Sequence, residues 1–319
     1  QSWAGLGAGG IDDIQKQALP RDLDAAKIVN ADIRNNLGVS IRTTNAFYTK
    51  NGVPMEEDNS WNYENRFQLK KVPTTGYDNM LIPNWTTIEL NFDREYRYYG
   101  SLGFDGNIWF GQGQTANGKL YQVKVSNGGH IALKPNDNAQ NMTAIWPKKM
   151  VNYRTVTGAT SGWTPVSYPF PIMRMADLYL MYAEALNESG SSYATVLPWI
   201  DKVRERSGLK GVEESWTNHS RNPSKFKTMH GLREIIMRER RIELAFEGHY
   251  FWDIRRWKTA TTELKTTLTG WNTQQLQQPA DFYQQQVLHN VDFSPRDYFW
   301  PITLSELRKN PNLIQNYGW

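Results

Sequence analysis

The chain contains no cysteine. Disulfides and thiolate-held metals are therefore excluded, and export is neither favoured nor ruled out. It also has no long apolar run. The longest uncharged stretch, Thr155 to Met173, holds Pro165, Pro169 and Pro171, which break a helical ladder, so it cannot be a membrane span. Charge of one sign is not concentrated anywhere. With 36 basic and 32 acidic residues the net charge is only +4, and Lys148-Lys149 and Arg255-Arg256 are isolated doublets, so no nucleic acid is expected as partner. The five histidines, at 130, 219, 230, 249 and 289, show no metal-ligand spacing, and HExxH, GxSxG, Walker and kinase signatures are missing. The acids Asp12-Asp13 and Glu56-Glu57-Asp58 lack the spacing of a calcium loop and read as solvated faces. "GLGAGG" has too few residues before it for the strand a dinucleotide site needs, and Gly111, Gly113 and Ala116 run into a turn. No cofactor is expected. Gln1 is not an initiator methionine, which points to a processed or truncated start.

Aromatic residues, by contrast, are abundant: 13 Trp, 16 Tyr and 12 Phe in 319 residues. That fills a core and leaves rings over for a surface. The first half, 1–165, reads as a loop-rich part with short strands. Asn51-Gly52, Asn117-Gly118, Asn127-Gly128 and Asp105-Gly106 supply turn chemistry between them. "YRYYGSL" and "LYQVKV" have strand composition, which makes Tyr98 and Tyr99 core strand residues, and a short helix is expected over 21–36. From 166 to 260 the pattern becomes helical. "MRMADLYLMYAEALN" is apolar nearly all round and reads as a buried helix. "YATVLPWIDKVRERSGL" is a second helix closed by Gly208, with a kink or a later start expected at Pro198. A polar loop over 209–229 precedes a third helix over 230–247, stopped by Gly248, with Trp252 and Trp257 packing at its cap. This is the grammar of stacked helix pairs. Residues 261–319 read as loop followed by an ordered tail.

The third helix poses a problem. At about 100° per residue, Leu232, Ile235, Ile236, Ile242 and Phe246 share one arc, and Glu239 and Glu243 fall inside it. An unpaired carboxylate in an apolar stripe costs several kcal/mol. One reading is a catalytic pair for glycoside hydrolysis, because carboxyls at i and i+4 are about 6 Å apart at Cβ. The packed stripe, which is no open cleft, favours the other reading: hydrogen bonds from Arg204 and Arg206 of the second helix, or from Arg255 and Arg256. Asp253 with Arg255 and Arg256 reads as a further internal ion-pair cluster rather than an anion site.

"MRMADLYLMYAEALNESG", "VRERSGL", "RERRIELAFEGHYFWDIRRW" and "PITLSELRKNPNLIQNYGW", with "FYTKNGVPMEED" and "REYRYYGSLGFDGNIW" upstream, together resemble the SusD/RagB family over about residues 45–319. The family's lipid-bearing cysteine and first helical repeats have no counterpart, so the N-terminal part of the family fold is read as missing from this chain. Thr303 and Tyr317 stand where prolines are common. The resemblance implies a mainly α fold, with a tetratricopeptide-like helical layer and a loop-rich face with small β-sheets. It implies a non-catalytic outer-membrane, cell-surface protein that captures oligosaccharide, or peptide. It also implies hand-off to a SusC-type TonB-dependent barrel, with membrane anchoring only through a lipidated N-terminus not present in this chain.

Sugars offer apolar CH faces to flat rings and hydroxyls to Asn, Asp and Gln. Loop aromatics beside such residues are the candidates. Trp61 and Tyr63 in "DNSWNYENR", Trp85 in "PNWT", and Trp109 with Asp105 and Asn107 in "DGNIWFGQGQ" are the expected ligand-binding residues. Trp163 and Trp271 are weaker candidates. Half-buried packing is the competing role for each ring.

Overall fold

The computed structural model describes residues 10–23, 33–111, 113, 120–131, 141–157 and 163–319. The chain opens with α1 (Gly10–Ala18) and α2 (Ile41–Ala46). Buried Gln15 ties α1 down: its amide donates to Val166 O at 3.3 Å, and its oxygen accepts from Asn152 N and Thr155 Oγ1. The helix expected over 21–36 lies mostly outside the described residues, and its described flanks are not helical. The second GxGxxG reading and the turn at Asn117-Gly118 also lie largely outside them.

Short elements follow: β1 (Leu69–Lys71), β2 (Thr86–Ile88), α3 (Tyr96–Ser101), β3 (Gly103–Phe104), β4 (Ile108–Trp109), β5 (Tyr121–Gln122), β6 (Ile145–Trp146), β7 (Val156–Thr157) and β8 (Trp163–Thr164). They pair antiparallel as β1-β2, β3-β6, β4-β5 and β7-β8. Two-residue ladders contribute little by themselves, and side chains that bond loop backbone do most of the fixing. The "YRYYGSL" segment, expected as a strand, is α3. Glu95 at its start stays extended and its carboxylate takes Tyr48 N and Arg97 Nε, which turns the chain into the helix. Tyr98 and Tyr99 are nevertheless core, packed edge-on at 5.4 Å.

The helical layer comprises α4 (Met175–Glu188), α5 (Tyr193–Arg206), α6 (Val212–His219), α7 (Met229–Glu243), α8 (His249–Arg256) and the short α9 (Ala260–Glu263). Left-handed Gly190 and Gly208 follow α4 and α5. Thr228 caps α7 by accepting from Gly231 N at 3.1 Å. Gly231 is sterically required, since a Cβ there would meet Lys225 O at 2.1 Å. α4 packs on α5 and α7. It buries Ala176, Leu180 and Ala183 but leaves Met175, Leu178, Met181 and Tyr182 exposed. The expectation of burial all round is thus corrected: its neighbours cover only one side of α4. α5 runs through Pro198 from a start at Tyr193, so there is no later start. The loop expected over 209–229 contains α6. α7 ends at Glu243, four residues before the expected stop, and Phe246 and Gly248 take left-handed backbone to launch α8. Trp252 stands 62% exposed on α8 rather than in a cap core, while Trp257 is half-buried.

Residues 261–290 are not loop. β9 (Thr266–Trp271) and β10 (Gln285–Val291) form the longest hairpin in the chain, enclosing α10 (Pro279–Phe282), with a register shift between Val287 and His289. The threonine-rich β9 and the exposed, glutamine-led β10 carry almost no apolar alternation, which hid them. The tail ends with α11 (Leu304–Lys309). One apolar cluster runs from Leu19 to Tyr283 and takes side chains from loops, helices and hairpin alike. A small second cluster joins Ile254, Ala260 and Phe293.

Candidate functional site

The two glutamates of α7 are buried among arginines. Glu239 lies 3.2 Å from Arg204 Nη1 and 2.7 Å from Arg97 Nη1. Glu243 meets Arg97 at 3.0 Å, Arg174 at 2.6 Å and Arg206 at 2.6 Å. Burial alone would raise the Glu243 carboxyl, but the guanidiniums of Arg97, Arg174 and Arg206 outweigh it and hold it below the usual range. Arg204 and Arg206 are the partners expected from sequence. Arg97 and Arg174 were not foreseen. Arg255 and Arg256 bond elsewhere: Arg256 holds Asp253 and Glu184, and Arg255 stacks on Phe251. Asp253 also takes Nε and Nη2 of Arg240, whose Nη1 donates to Asp177 at 2.8 Å. Four arginines around two acids leave neither acid free to hold a water or a glycosidic oxygen.

The residues expected to bind ligand fall into two groups. Trp61, Asp105, Asn107 and Trp109 are buried, which removes them as ligand contacts. Trp109 lies against Gly103, where a Cβ would come to 2.4 Å of the ring. Asp105 accepts from Val125 N, Ser126 N, Ser126 Oγ, Trp85 Nε1 and Tyr283 Oη. Asn107 donates to Met80 O. Each ties a loop to the core, so polar neighbours in the sequence marked internal bonding rather than a sugar site. Tyr63 and Trp85 are half-buried. Arg66 stacks on Tyr63 at 4.0 Å, and Lys124 lies 5.5 Å from the Trp85 ring. Trp163 is half-buried beneath Lys16, and Trp271 is core.

The structure gathers a different set of rings. A cleft of about 670 Å³ is walled by Tyr96, Tyr99, Phe110, Tyr153 and Tyr168, with the amides of Asn79 and Asn152 between them. α3 supplies the first wall. Tyr96 is 66% exposed and rests beside Gly208, where a Cβ would come within 3.1 Å of the ring. Tyr99, one turn on, is fixed by donating its hydroxyl to Asn91 O. Across the opening, Tyr153 Oη accepts from Arg154 Nε, and Tyr168 donates to Met150 O at 2.7 Å, where burial pushes its hydroxyl up to about 12. Lys148 lies in the floor. Its ammonium donates to Tyr99 O (2.8 Å), Ile108 O (2.7 Å) and Asn107 Oδ1 (3.3 Å). Burial draws it down to about 7. Two smaller hollows adjoin, of about 270 and 280 Å³, one sharing Asn79 and the other Tyr96 and Tyr99. The sequence signal for this wall was the i, i+3 tyrosine pair, legible only once "YRYYG" is wound as a helix. Among the described residues no group of three His, Asp or Glu is placed to hold a metal, and no helix is long and apolar enough to cross a membrane.

Comparison with known proteins decides the lineage. The family model described as "SusD family" matches residues 3–319. The chain belongs to the SusD family. SusD-like protein P2 of Formosa agariphila is 34% identical over 144 residues, 45% of this chain and 24% of that protein. SusD-like protein P25 of the same organism is 32% identical over 152 residues, 46% of this chain and 23% of that one. Among solved structures, BT4246 superposes with a TM-score of 0.76 at 24% identity, over 95% of this chain and 50% of its own. A SusD-like protein from Bacteroides fragilis, BF3747, gives 0.65 at 23% identity, over 97% and 51%. This SusD chain therefore spans about half the length of those solved relatives. The mainly α, SusD-like fold expected from the sequence stands, and the helical layer with its loop-rich face is the arrangement they share.

Proposed function

We propose that this chain is a non-catalytic nutrient-binding protein of the outer-membrane cell surface. In this reading it captures an oligosaccharide in the tyrosine cleft and passes it to a SusC-type TonB-dependent barrel. One observation carries the proposal: five aromatic rings and the amides of Asn79 and Asn152 line one cleft and offer apolar faces and hydrogen-bond partners together, as a sugar chain requires. Family membership supports it. So does the description of the B. fragilis relative BF0978 as a SusD-like carbohydrate-binding protein; its TM-score is 0.55 at 23% identity, over 97% of this chain and 61% of its own. The adjoining hollows suit a ligand several units long. Tyr63 and Trp85, half-buried on the loop face, are proposed as outlying contacts.

Native electrophoresis through gels containing soluble polysaccharides tests the reading. At least one polymer is expected to retard the wild type, and Tyr96→Ala and Tyr153→Ala are expected to restore mobility. The oligosaccharide reading fails if every polymer leaves mobility unchanged. Incubation with labelled oligosaccharides tests the absence of catalysis: turnover lost on Glu239→Gln would reinstate the glycosidase. Co-purification of a detergent-solubilised TonB-dependent barrel with the tagged chain tests the hand-off.

A further inference from the structure

Resting on the oligosaccharide reading of the tyrosine cleft, we propose that its ligand is anionic, a sugar chain bearing carboxylate or sulfate groups. Among the described residues no aspartate or glutamate lines the cleft, whereas Lys148 and Lys149 do. Arg154, next to the cleft residue Tyr153 in the chain, is bonded to its Oη and lies 5.5 Å from its ring, with no carboxylate in ion-pair range among the described residues.

The acids nearest the cleft are already claimed. Glu247 is shared by Lys149 (2.5 Å) and Arg174 (2.7 Å), and Glu243 by Arg97, Arg174 and Arg206. Taken as one lattice, the cations Arg97, Arg174, Arg204, Arg206 and Lys149 face the carboxylates Glu95, Glu239, Glu243 and Glu247. Lys148, drawn down to about 7 by burial and so protonated in about half the molecules at neutral pH, is contacted only by neutral oxygens. A buried ammonium without a counter-ion is costly, and an anion brought in by the ligand would offset that cost.

The groove beside Trp216 and Tyr250 shows the contrast. It is also sizeable, about 420 Å³, but there Glu56, Glu57, Glu234 and Glu263 face Lys225, Arg238 and Arg241. In the tyrosine cleft, by contrast, lysines line the wall and, among the described residues, no carboxylate does. The saturated Lys148 ammonium would act through its field, while Lys149, the Arg154 guanidinium and the Asn79 and Asn152 amides supply direct donors. Of the adjoining hollows, one is lined by Asp78 and the other sets Asp93 and Glu95 against Lys50 and Arg94, so the anionic group belongs in the central cleft.

The test uses the full chain in gels containing polygalacturonate (carboxylate), κ-carrageenan (sulfate) or neutral dextran and laminarin. One or both acidic polymers are expected to retard it, less so as NaCl rises from about 50 to 500 mM, and the neutral ones are not. Titration with oligomers of the retarding polymer is expected to show Arg154→Met and Lys149→Met each weakening binding about tenfold, with melting curves confirming that both fold. Lys309→Met, on the exposed end of α11, is the control for general polyanion adhesion. The proposal falls if Lys309→Met weakens binding as much as the cleft variants. It also falls if neutral polymers retard the chain and acidic ones do not, an outcome that leaves the oligosaccharide reading intact. If no polymer retards it, both readings fall.

Discussion

The helical layer and the loop-rich layer bury charge in opposite ways. Between the helices, charge meets charge: Glu239 with Arg204, Glu243 with Arg174, Arg240 with Asp177 and Asp253. Among the loops, charge meets neutral dipoles. Arg94 donates to the carbonyls of Thr44, Phe47, Tyr48 and Leu90. Asp105 collects amides and hydroxyls, Asp58 takes Thr49, Asn51 and Ser60, and Lys148 takes carbonyls. The reason lies in the backbone. A helix satisfies most of its own N–H and C=O groups, so a charged side chain beside it is answered largely by another side chain, with carbonyls left to loops and helix ends, as where Arg204 reaches Gly52 O. A loop leaves those groups open, and a buried ion is an efficient way to satisfy several at once. Arg97 belongs to both systems: it springs from α3 in the loop layer and ends on the acids of α7.

The largest effect should come from the helical side. Glu239→Ala strips the buried Arg204 of its carboxylate, leaves Arg97 with Glu95 and Glu243, and should lower stability by about 3–5 kcal/mol, read as a fall in melting temperature. An unchanged melt would mean the charge-to-charge half of the contrast is wrong. Asp105→Ala frees two backbone amides and two hydroxyls but strands no opposite charge. It should cost about 1–3 kcal/mol, and a loss equal to that of Glu239→Ala would erase the distinction. Lys148 sharpens the contrast through pH. Its folded pKa of about 7 lies below the ordinary lysine value of 10.5, so the unfolded chain binds more protons between them. Stability should therefore rise with pH across that window, by up to about 1.4 kcal/mol per unit. The difference curve between wild type and Lys148→Met isolates this slope, and a flat difference would show that the ammonium is not desolvated. Smallest in stability is Tyr96→Ala. The ring is mostly exposed, so the change should stay within about 0.5 kcal/mol while ligand affinity falls severalfold by calorimetry.

The helical side was largely legible before the structure. Gly190 and Gly208 marked helix ends, the wheel placed Glu239 and Glu243 inside, and "VRER" named two of their partners, whereas Gly248 opens α8 instead of closing α7. Arg97 and Arg174 were out of reach because they come from distant segments, and pairing across 142 residues in the case of Arg97 and Glu239 leaves no local pattern. The loop side was misread for a related reason. Whether a tryptophan is core or surface depends on what faces it. Trp109 is buried because Gly103 lets the ring lie flat on the chain, and that approach is set by the β3-β6 and β4-β5 pairings. The polar residues around these rings looked like hands held out to a sugar and proved to be occupied by loop backbone. The exposed Tyr96, by contrast, sat in a segment whose composition argued for the wrong secondary structure.

One consequence follows from the place of α3. The six-residue helix that carries Tyr96 and Tyr99 also carries Arg97, so the cleft wall and the guanidinium clamp on α7 are a single piece. The rings cannot swing outward without pulling a cation from its carboxylates. A visitor would meet a surface already set in its final shape and lose little freedom of the host on arrival.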